Sequence, residues 1–205
     1  KLMEIIPSNK TNADLIAPMA VFLEETLGKG VVYAKDTPNF IANRIGVYGM
    51  MVTLDEARKN KLSIEDVDAL TGTLIGRPKS ATFRTADVVG LDTMCFVANT
   101  AYEKCTNDPE RETFKIPDYL QKMVDNEWLG QKSKQGFYKK IDKGVIHSID
   151  LDTLEYSPQN KKRYAGIRLA KENVQVKDRL KALVNADDTA GQFVWEVTAK
   201  ALLYS

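Results

Sequence analysis

A single histidine, His147, and two cysteines, Cys95 and Cys105, limit the chemistry this chain can perform alone. One imidazole leaves a single side chain of that kind for acid–base work near neutral pH. A zinc site draws on several His or Cys ligands at short spacing, and none are supplied, so no metal is expected. The cysteines are ten residues apart on one predicted helix, about 280° around its axis at ~100° per residue. They form no C-x-x-C pair and read as small buried residues. No G-x-G-x-x-G, G-x-x-x-x-G-K-[ST] or G-x-S-x-G run occurs, so neither a complete nucleotide site nor a nucleophile elbow is encoded. His147 lies in a predicted hairpin and reads as an exposed histidine.

The elements that must position any site follow from periodicity. Leu2, Glu4 and Ile6 alternate with Met3 and Ile5, which predicts a strand ended by Pro7-Ser8-Asn9. Thr11 and Asn12 are cap candidates for a helix to about Leu27, with Leu15, Met19, Phe22 and Leu23 on one face. Val31–Ala34 reads as a second strand. Two short strands and a helix make no stable sheet alone, so residues 1 to about 35 read as the tail of a larger domain.

From Asp36 the pattern turns helical. Thr37 and Pro38 are expected to open a helix through Phe40, Ile41, Ile45, Val47, Tyr48, Met51, Val52 and Leu54. Its apolar residues cover most of the circumference, which suits the middle of a bundle or a subunit interface. Ser63 with Asp66 opens the next helix in the manner of a capping box, and that helix ends near Gly72. Further helices are expected from about Ala86 to Cys105 and from Ile116 to Glu127. Lys139–Ile149 suits a small hairpin, and 156–162 reads as a linker. Helices resume near Tyr164, with Asp178 and Asp188 close to later starts. The last is still amphipathic at Ser205, so the chain reads as cut at both ends.

The 205 residues are 43% hydrophobic and 28% charged, with a formal net charge of +1. A packed core is within reach and disorder is not expected. The balanced charge gives no global attraction to nucleic acid or anionic lipid. No apolar run is long enough to span a bilayer, so no membrane insertion is expected.

Three segments carry more than structure: Lys1–Ile6; Asp36-Thr37-Pro38-Asn39-Phe40-Ile41-Ala42-Asn43-Arg44; and Leu129-Gly130-Gln131-Lys132-Ser133-Lys134-Gln135-Gly136-Phe137-Tyr138. In order and spacing, with Val89-Gly90-Leu91-Asp92-Thr93 between them, they resemble the 3-hydroxyacyl-CoA dehydrogenase family. The resemblance covers roughly residues 1 to 140. It implies a mainly α fold, a helical bundle of the 6-phosphogluconate dehydrogenase C-terminal-like type, preceded by a strand–helix–strand remnant of a Rossmann domain. The implied division is 1–35 for that remnant and 36–140 for the helical domain. A hairpin and linker over 141–163 then lead to the start of a second helical domain over 164–205.

The resemblance also implies chemistry. A family histidine removes the 3-hydroxyl proton while hydride passes to NAD, and a glutamate orients the imidazole. That histidine precedes the first strand and is absent here; the glutamate matches Glu4. Asn43 matches an active-site asparagine, whose amide suits a directed bond to a substrate oxygen or a water. Read from its residues alone, Asn43 better suits local bonding at a helix start. Lys132 matches a lysine that approaches the cofactor, and an ammonium near Gly130 and Gly136 suits a phosphate or ribose. It also reads as a solvated surface lysine.

The implied partners are acyl-CoA and a second copy of the chain, in the cytoplasm of a bacterium. One departure stands out. Where many members carry G-x-P-x-G-P-F, this chain has Gly76-Arg77-Pro78-Lys79-Ser80-Ala81-Thr82-Phe83-Arg84, with two added cations. That puts acyl-chain preference in doubt. A competing reading is a helical oligomerisation module without catalysis, suggested by the apolar helix from Phe40. Another is a 6-phosphogluconate or hydroxyisobutyrate type dehydrogenase, against which Glu4 and the Asp36–Arg44 motif argue.

Overall fold

The computed structural model describes residues 2–160 and 162–205; Lys1 of the first motif and Lys161 of the 156–162 stretch lie outside them. Strand β1 (Leu2–Ile5) pairs in parallel with β2 (Gly30–Tyr33), Glu4 opposite Val32. Parallel pairing needs a crossover. It is a helical run of a 3-10 turn (Ala13–Leu15), α1 (Ile16–Val21) and a π turn (Phe22–Thr26). Asn12 caps it, its side-chain oxygen accepting from the Asp14 N–H at 3.0 Å. Of the expected stripe only Leu23 is buried; Leu15, Met19 and Phe22 are exposed. A sheet of two strands is too narrow to cover the whole stripe.

Helix α2 (Ala42–Lys59) begins four residues later than Thr37–Pro38 suggested. Asn39 and Phe40 both take left-handed backbone angles (φ 64 and 52), which no helix can continue through. Instead, Thr37–Phe40 closes as a turn, the Phe40 N–H donating to the Thr37 carbonyl at 3.0 Å. The apolar circumference of α2 is then covered from within the chain by α5 (Leu91–Lys104) and α9 (Thr189–Tyr204).

Helix α3 (Ile64–Thr71) is capped by Ser63, which accepts from the Asp66 N–H at 3.3 Å. The reciprocal half of the capping box is missing. The Asp66 carboxylate accepts from the Lys162 N–H and the Tyr164 hydroxyl instead, at 3.0 and 3.1 Å. The single helix expected from Ala86 to Cys105 is two: α4 (Phe83–Val89) and α5, broken at Gly90 with φ 99. Cys105 thus lies past the end of α5, and both cysteines are buried. Helix α6 (Asp118–Asp125) follows.

Strands β3 (Tyr138–Lys140) and β4 (Ile146–Ile149) form the expected hairpin. Tyr156–Pro158, read as linker, is a third strand, β5, antiparallel to β4. Helices α7 (Ala165–Lys171), α8 (Val176–Val184) and α9 complete the chain. Asp188 caps α9 through the Gly191 N–H at 2.9 Å and also accepts from the Gly166 N–H at 2.8 Å. One buried cluster runs from Val47 of α2 to Val197 of α9 and includes Phe83, Phe114, Phe137 and Phe193. Truncating any of these rings to alanine is worth roughly 3–5 kcal/mol.

Candidate functional site

Glu4 is where strand and bundle meet. Its carboxylate accepts from the Ile41 N–H at 3.0 Å and the Ala42 N–H at 2.9 Å. Those amides open α2, where N–H groups lack intrahelical partners and a negative charge is favoured. A strand residue 37 positions upstream thus does what Thr37 was expected to do. The corner is pinned from the other side by Asn39, whose side-chain N–H donates to the Val97 carbonyl of α5 at 2.8 Å.

Asn43 follows within the first turn of α2 and is exposed. Its amide is not among the groups bonded at this corner, so the local-bonding reading gains no support. Glu4 is only partly exposed. The corner therefore brings one oriented carboxylate and one uncommitted amide to the same end of α2.

Lys132 sits elsewhere. Its ammonium reaches both oxygens of Asp92, at 2.5 and 2.6 Å, over the start of α5. The pair is roughly half exposed, and the lysine holds the Asp92 carboxyl below the usual carboxylate range. A Cβ at Gly90 would come within 3.0 Å of the Lys132 ammonium, so this glycine gives the side chain room. Asp92 and Val97 are five residues apart on α5, about 7.5 Å of rise. The lysine and the Glu4 corner thus share one helix as a scaffold without touching.

The loop that carries Lys132 is held by a residue the sequence reading passed over. Asp87 of α4 is buried and accepts from the Phe137 N–H at 2.8 Å and the Tyr138 N–H at 2.9 Å. Burial pushes its carboxyl up to about 6, against the pull of those two bonds. Around it the loop passes so close that a Cβ at Gly136 would lie 2.2 Å from its Oδ1, and one at Gly130 2.3 Å from its carbonyl oxygen. Two motif glycines are therefore explained by packing. Asp68 acts alongside. It caps α4 through the Thr82, Phe83 and Arg84 N–H groups and accepts from the Tyr138 hydroxyl at 2.8 Å. Burial is the largest influence on its carboxyl, which is raised. One sequence signal was available for Asp87: Phe83, Ala86, Asp87 and Gly90 share a helical face that must point inward.

Two further features were missed. Arg44 of the Asp36–Arg44 motif pairs with Asp108, and the Tyr204 hydroxyl bonds to both, donating to Asp108 and accepting from Arg44. This cluster borders a cavity of about 900 Å³ along α2. A second cavity, of about 1030 Å³, lies against α4 and the β3–β4 hairpin. Glu4, Asn43 and Lys132 line neither. His147 is half-buried on β4, opposite Lys139 and Pro158, in a different sheet from Glu4. Among the described residues no His/Cys/Asp/Glu group could hold a metal ion, and no helix is long and apolar enough to cross a membrane.

Comparison with known proteins agrees with the motif segments. Residues 40–140 match the family described as 3-hydroxyacyl-CoA dehydrogenase, C-terminal domain. A Bacillus subtilis protein named "Probable 3-hydroxyacyl-CoA dehydrogenase" is 50% identical over the whole chain, which spans about a quarter (26%) of its length. The mitochondrial hydroxyacyl-coenzyme A dehydrogenase of Rattus norvegicus is 34% identical over 68% of this chain and 43% of its own. Among solved structures, (S)-3-hydroxybutyryl-CoA dehydrogenase PaaH1 from Ralstonia eutropha superposes with a TM-score of 0.56 at 27% identity. That match covers 66% of this chain and 46% of the other. M. tuberculosis FadB2 gives 0.58 at 29%, over 68% and 47%. The chain belongs to the 3-hydroxyacyl-CoA dehydrogenase family and carries its mainly helical C-terminal domain.

Proposed function

We propose that this chain is a fragment of an NAD-dependent enzyme that oxidises 3-hydroxyacyl-CoA to 3-oxoacyl-CoA in fatty-acid oxidation, in a bacterial cytoplasm. The observation that carries the reading is the Glu4 corner. A carboxylate fixed by two amides, yet still partly exposed, is suited to orienting and charge-stabilising an imidazole brought to it. Asn43, exposed in the same first turn of α2, is suited to hold the substrate oxygen or a water by a directed bond. We assign both as site residues on this basis.

NAD would accept the hydride from C3 of the substrate. The residues described here do not form a dinucleotide cradle. No glycine-rich turn follows β1, and the ammonium of Lys132 is already paired with Asp92. Lys132 is assigned a supporting contact to the cofactor, made by the Asp92 pair as a unit.

On this reading the chain alone is inactive, because no histidine stands beside Glu4 and a general base contributes roughly 10²–10⁴ in rate. The division into a nucleotide-domain remnant over 1–35, a helical domain over 36–140 and a second helical start over 164–205 belongs to the same proposal. So do acyl-CoA as substrate and a second copy as partner. The test is NADH formation from 3-hydroxybutyryl-CoA and longer homologues by the longer protein, beside this chain and the longer protein carrying Glu4→Gln or Asn43→Ala. The expected result is an active longer protein, a silent chain, and a loss of about 10²-fold or more in each variant. A longer protein that forms no NADH on any chain length would sink the reading.

A further inference from the structure

The first turn of α2 carries Asn43 and receives the Glu4 carboxylate, yet no helix leads into it, since Asn39 and Phe40 are left-handed. Something else must fix how that turn is rotated. Arg44 is the half-buried residue next to Asn43. Its guanidinium pairs with Asp108, whose side chain is 1% exposed, and its Nε–H donates to the Tyr204 hydroxyl at 2.8 Å. That hydroxyl donates in turn to Asp108 at 2.6 Å, which closes a triangle. Burial, with Asp108 beside it, pushes the Tyr204 hydroxyl up to about 12, so it keeps its proton near neutral pH.

Two corners of the triangle are seated independently of Arg44. Asp108 also accepts from the Glu110 N–H at 2.9 Å. The Tyr204 ring stacks on that of Tyr48, one turn along α2, with centroids 3.8 Å apart and planes 9° apart, and meets Phe114 edge-on at 5.9 Å. Farther along, the Lys200 ammonium reaches the buried Glu56 at 2.6 Å, so α9 has a second fastening to α2 that does not use this hydroxyl. Tyr204 belongs to α9, beyond the residues 40–140 that match the family domain, whereas Arg44 and Asp108 lie within them. A residue from outside that domain thus bears on its opening turn.

We propose that Tyr204 is a positioning residue of the site: its hydroxyl, with Asp108, holds Arg44 and thereby sets the direction in which the first turn of α2 presents Asn43. Consecutive helical residues point about 100° apart, so a guanidinium held in place fixes the bearing of the amide beside it. A planar fork on two fixed acceptors suits this task, because it sets orientation as well as distance. A misplacement of about 1 Å at a reacting group can cost as much as ~10²-fold in rate. For the reaction, the inference rests on the dehydrogenase reading; the hold on the turn does not.

The experiment compares wild type with Tyr204→Phe, Arg44→Lys and the control Lys200→Gln, which loosens α9 away from Arg44. In the 205-residue chain, amide hydrogen exchange is followed at Ile41, Ala42 and Ile45. Tyr204→Phe keeps the ring stack and should leave the melting temperature within about 2–4 °C of wild type. Exchange at those amides should nevertheless quicken about three- to tenfold. In the longer protein, Tyr204→Phe should lower kcat about tenfold with KM for NAD within about twofold, and should add nothing to the loss in Asn43→Ala when the two are combined. Arg44→Lys keeps the charge but not the fork and should behave alike. Unchanged exchange at the first turn, equal effects from Lys200→Gln, or losses that multiply in the double variant overturn the proposal. A longer protein that forms no NADH at all defeats the dehydrogenase reading instead, and the exchange rates alone then sustain or overturn the hold of Tyr204 on the turn.

Discussion

Glu4 and Asp87 do the same thing in opposite surroundings. Each carboxylate accepts from two consecutive backbone N–H groups at 2.8 to 3.0 Å. Asp87 does so in the core, beneath a loop that leaves no room for a Cβ, and burial drives its carboxyl up. Glu4 does so at a partly open corner, with Asn43 exposed beside it. The buried pair holds a loop in place and has no access to a substrate. The open pair is weaker as a fastener and remains available for chemistry. A carboxylate that looks functional in a motif is therefore separated from a structural one by what surrounds it, not by its hydrogen bonds.

The comparison is most directly broken at the Asp87 loop. Gly136→Ala places a Cβ 2.2 Å from the Asp87 carboxylate. It should cost about 4 kcal/mol or more and lower Tm by roughly 10 °C, or prevent folding. A melting temperature within a degree or two of wild type would show that the loop is not held as described.

Asp87→Ala comes next. Leaving two buried amides without an acceptor should cost about 3 kcal/mol in urea unfolding at pH 7. Its pH dependence has a defined sign. The carboxyl is raised from 3.8 to about 6 in the folded chain, so its contribution is fully present below the unfolded value and is lost as pH rises through the folded one. The stability gap between wild type and Asp87→Ala should therefore narrow from pH 4 to pH 7, by at most ~3 kcal/mol at ~1.4 kcal/mol per unit. A gap that widens over that range reverses the assignment of burial as the dominant influence.

Glu4→Ala removes a cap at the surface and should cost only about 1 kcal/mol, a Tm change of about 2–4 °C. A loss equal to that of Asp87→Ala would erase the distinction between the two sites. Lys132→Ala is the smallest change. The pair with Asp92 is half exposed, and such pairs contribute about 0–1 kcal/mol. Stability should hardly move, while KM for NAD in the longer protein should rise severalfold; an unchanged KM removes Lys132 from the site.

Much of the fold was legible in the sequence. Period-2 alternation at Leu2–Ile6 and the all-round apolar run through Val47–Leu54 read correctly as strand and helix. Caps at Asn12 and Ser63 read correctly because they act within three residues, and Asp188 marked the start of α9. Misreadings occurred wherever the deciding partner was remote. The start of α2 is set by Glu4 and by the left-handed Asn39 and Phe40. The break at Gly90 makes room for Lys132, 42 residues on. Tyr156–Pro158 pairs with β4 although its composition reads as linker. Of the candidate site, Glu4, Asn43 and Lys132 were found only through motif segments in register; Asp92 stood in such a segment without a role, and Asp87 was not found at all.

Sequence by itself determined most element types, the absence of a self-contained nucleotide fingerprint, and the family. These are local or one-dimensional properties: side-chain period, cap chemistry within a turn, residue order along a motif. Only tertiary structure decided which carboxylate is open and which is locked, and why the glycines at 130 and 136 are required. Those depend on what lies across space from each residue. A carboxylate or ammonium takes its energy from the dielectric and partners around it, and no spacing along the chain encodes these.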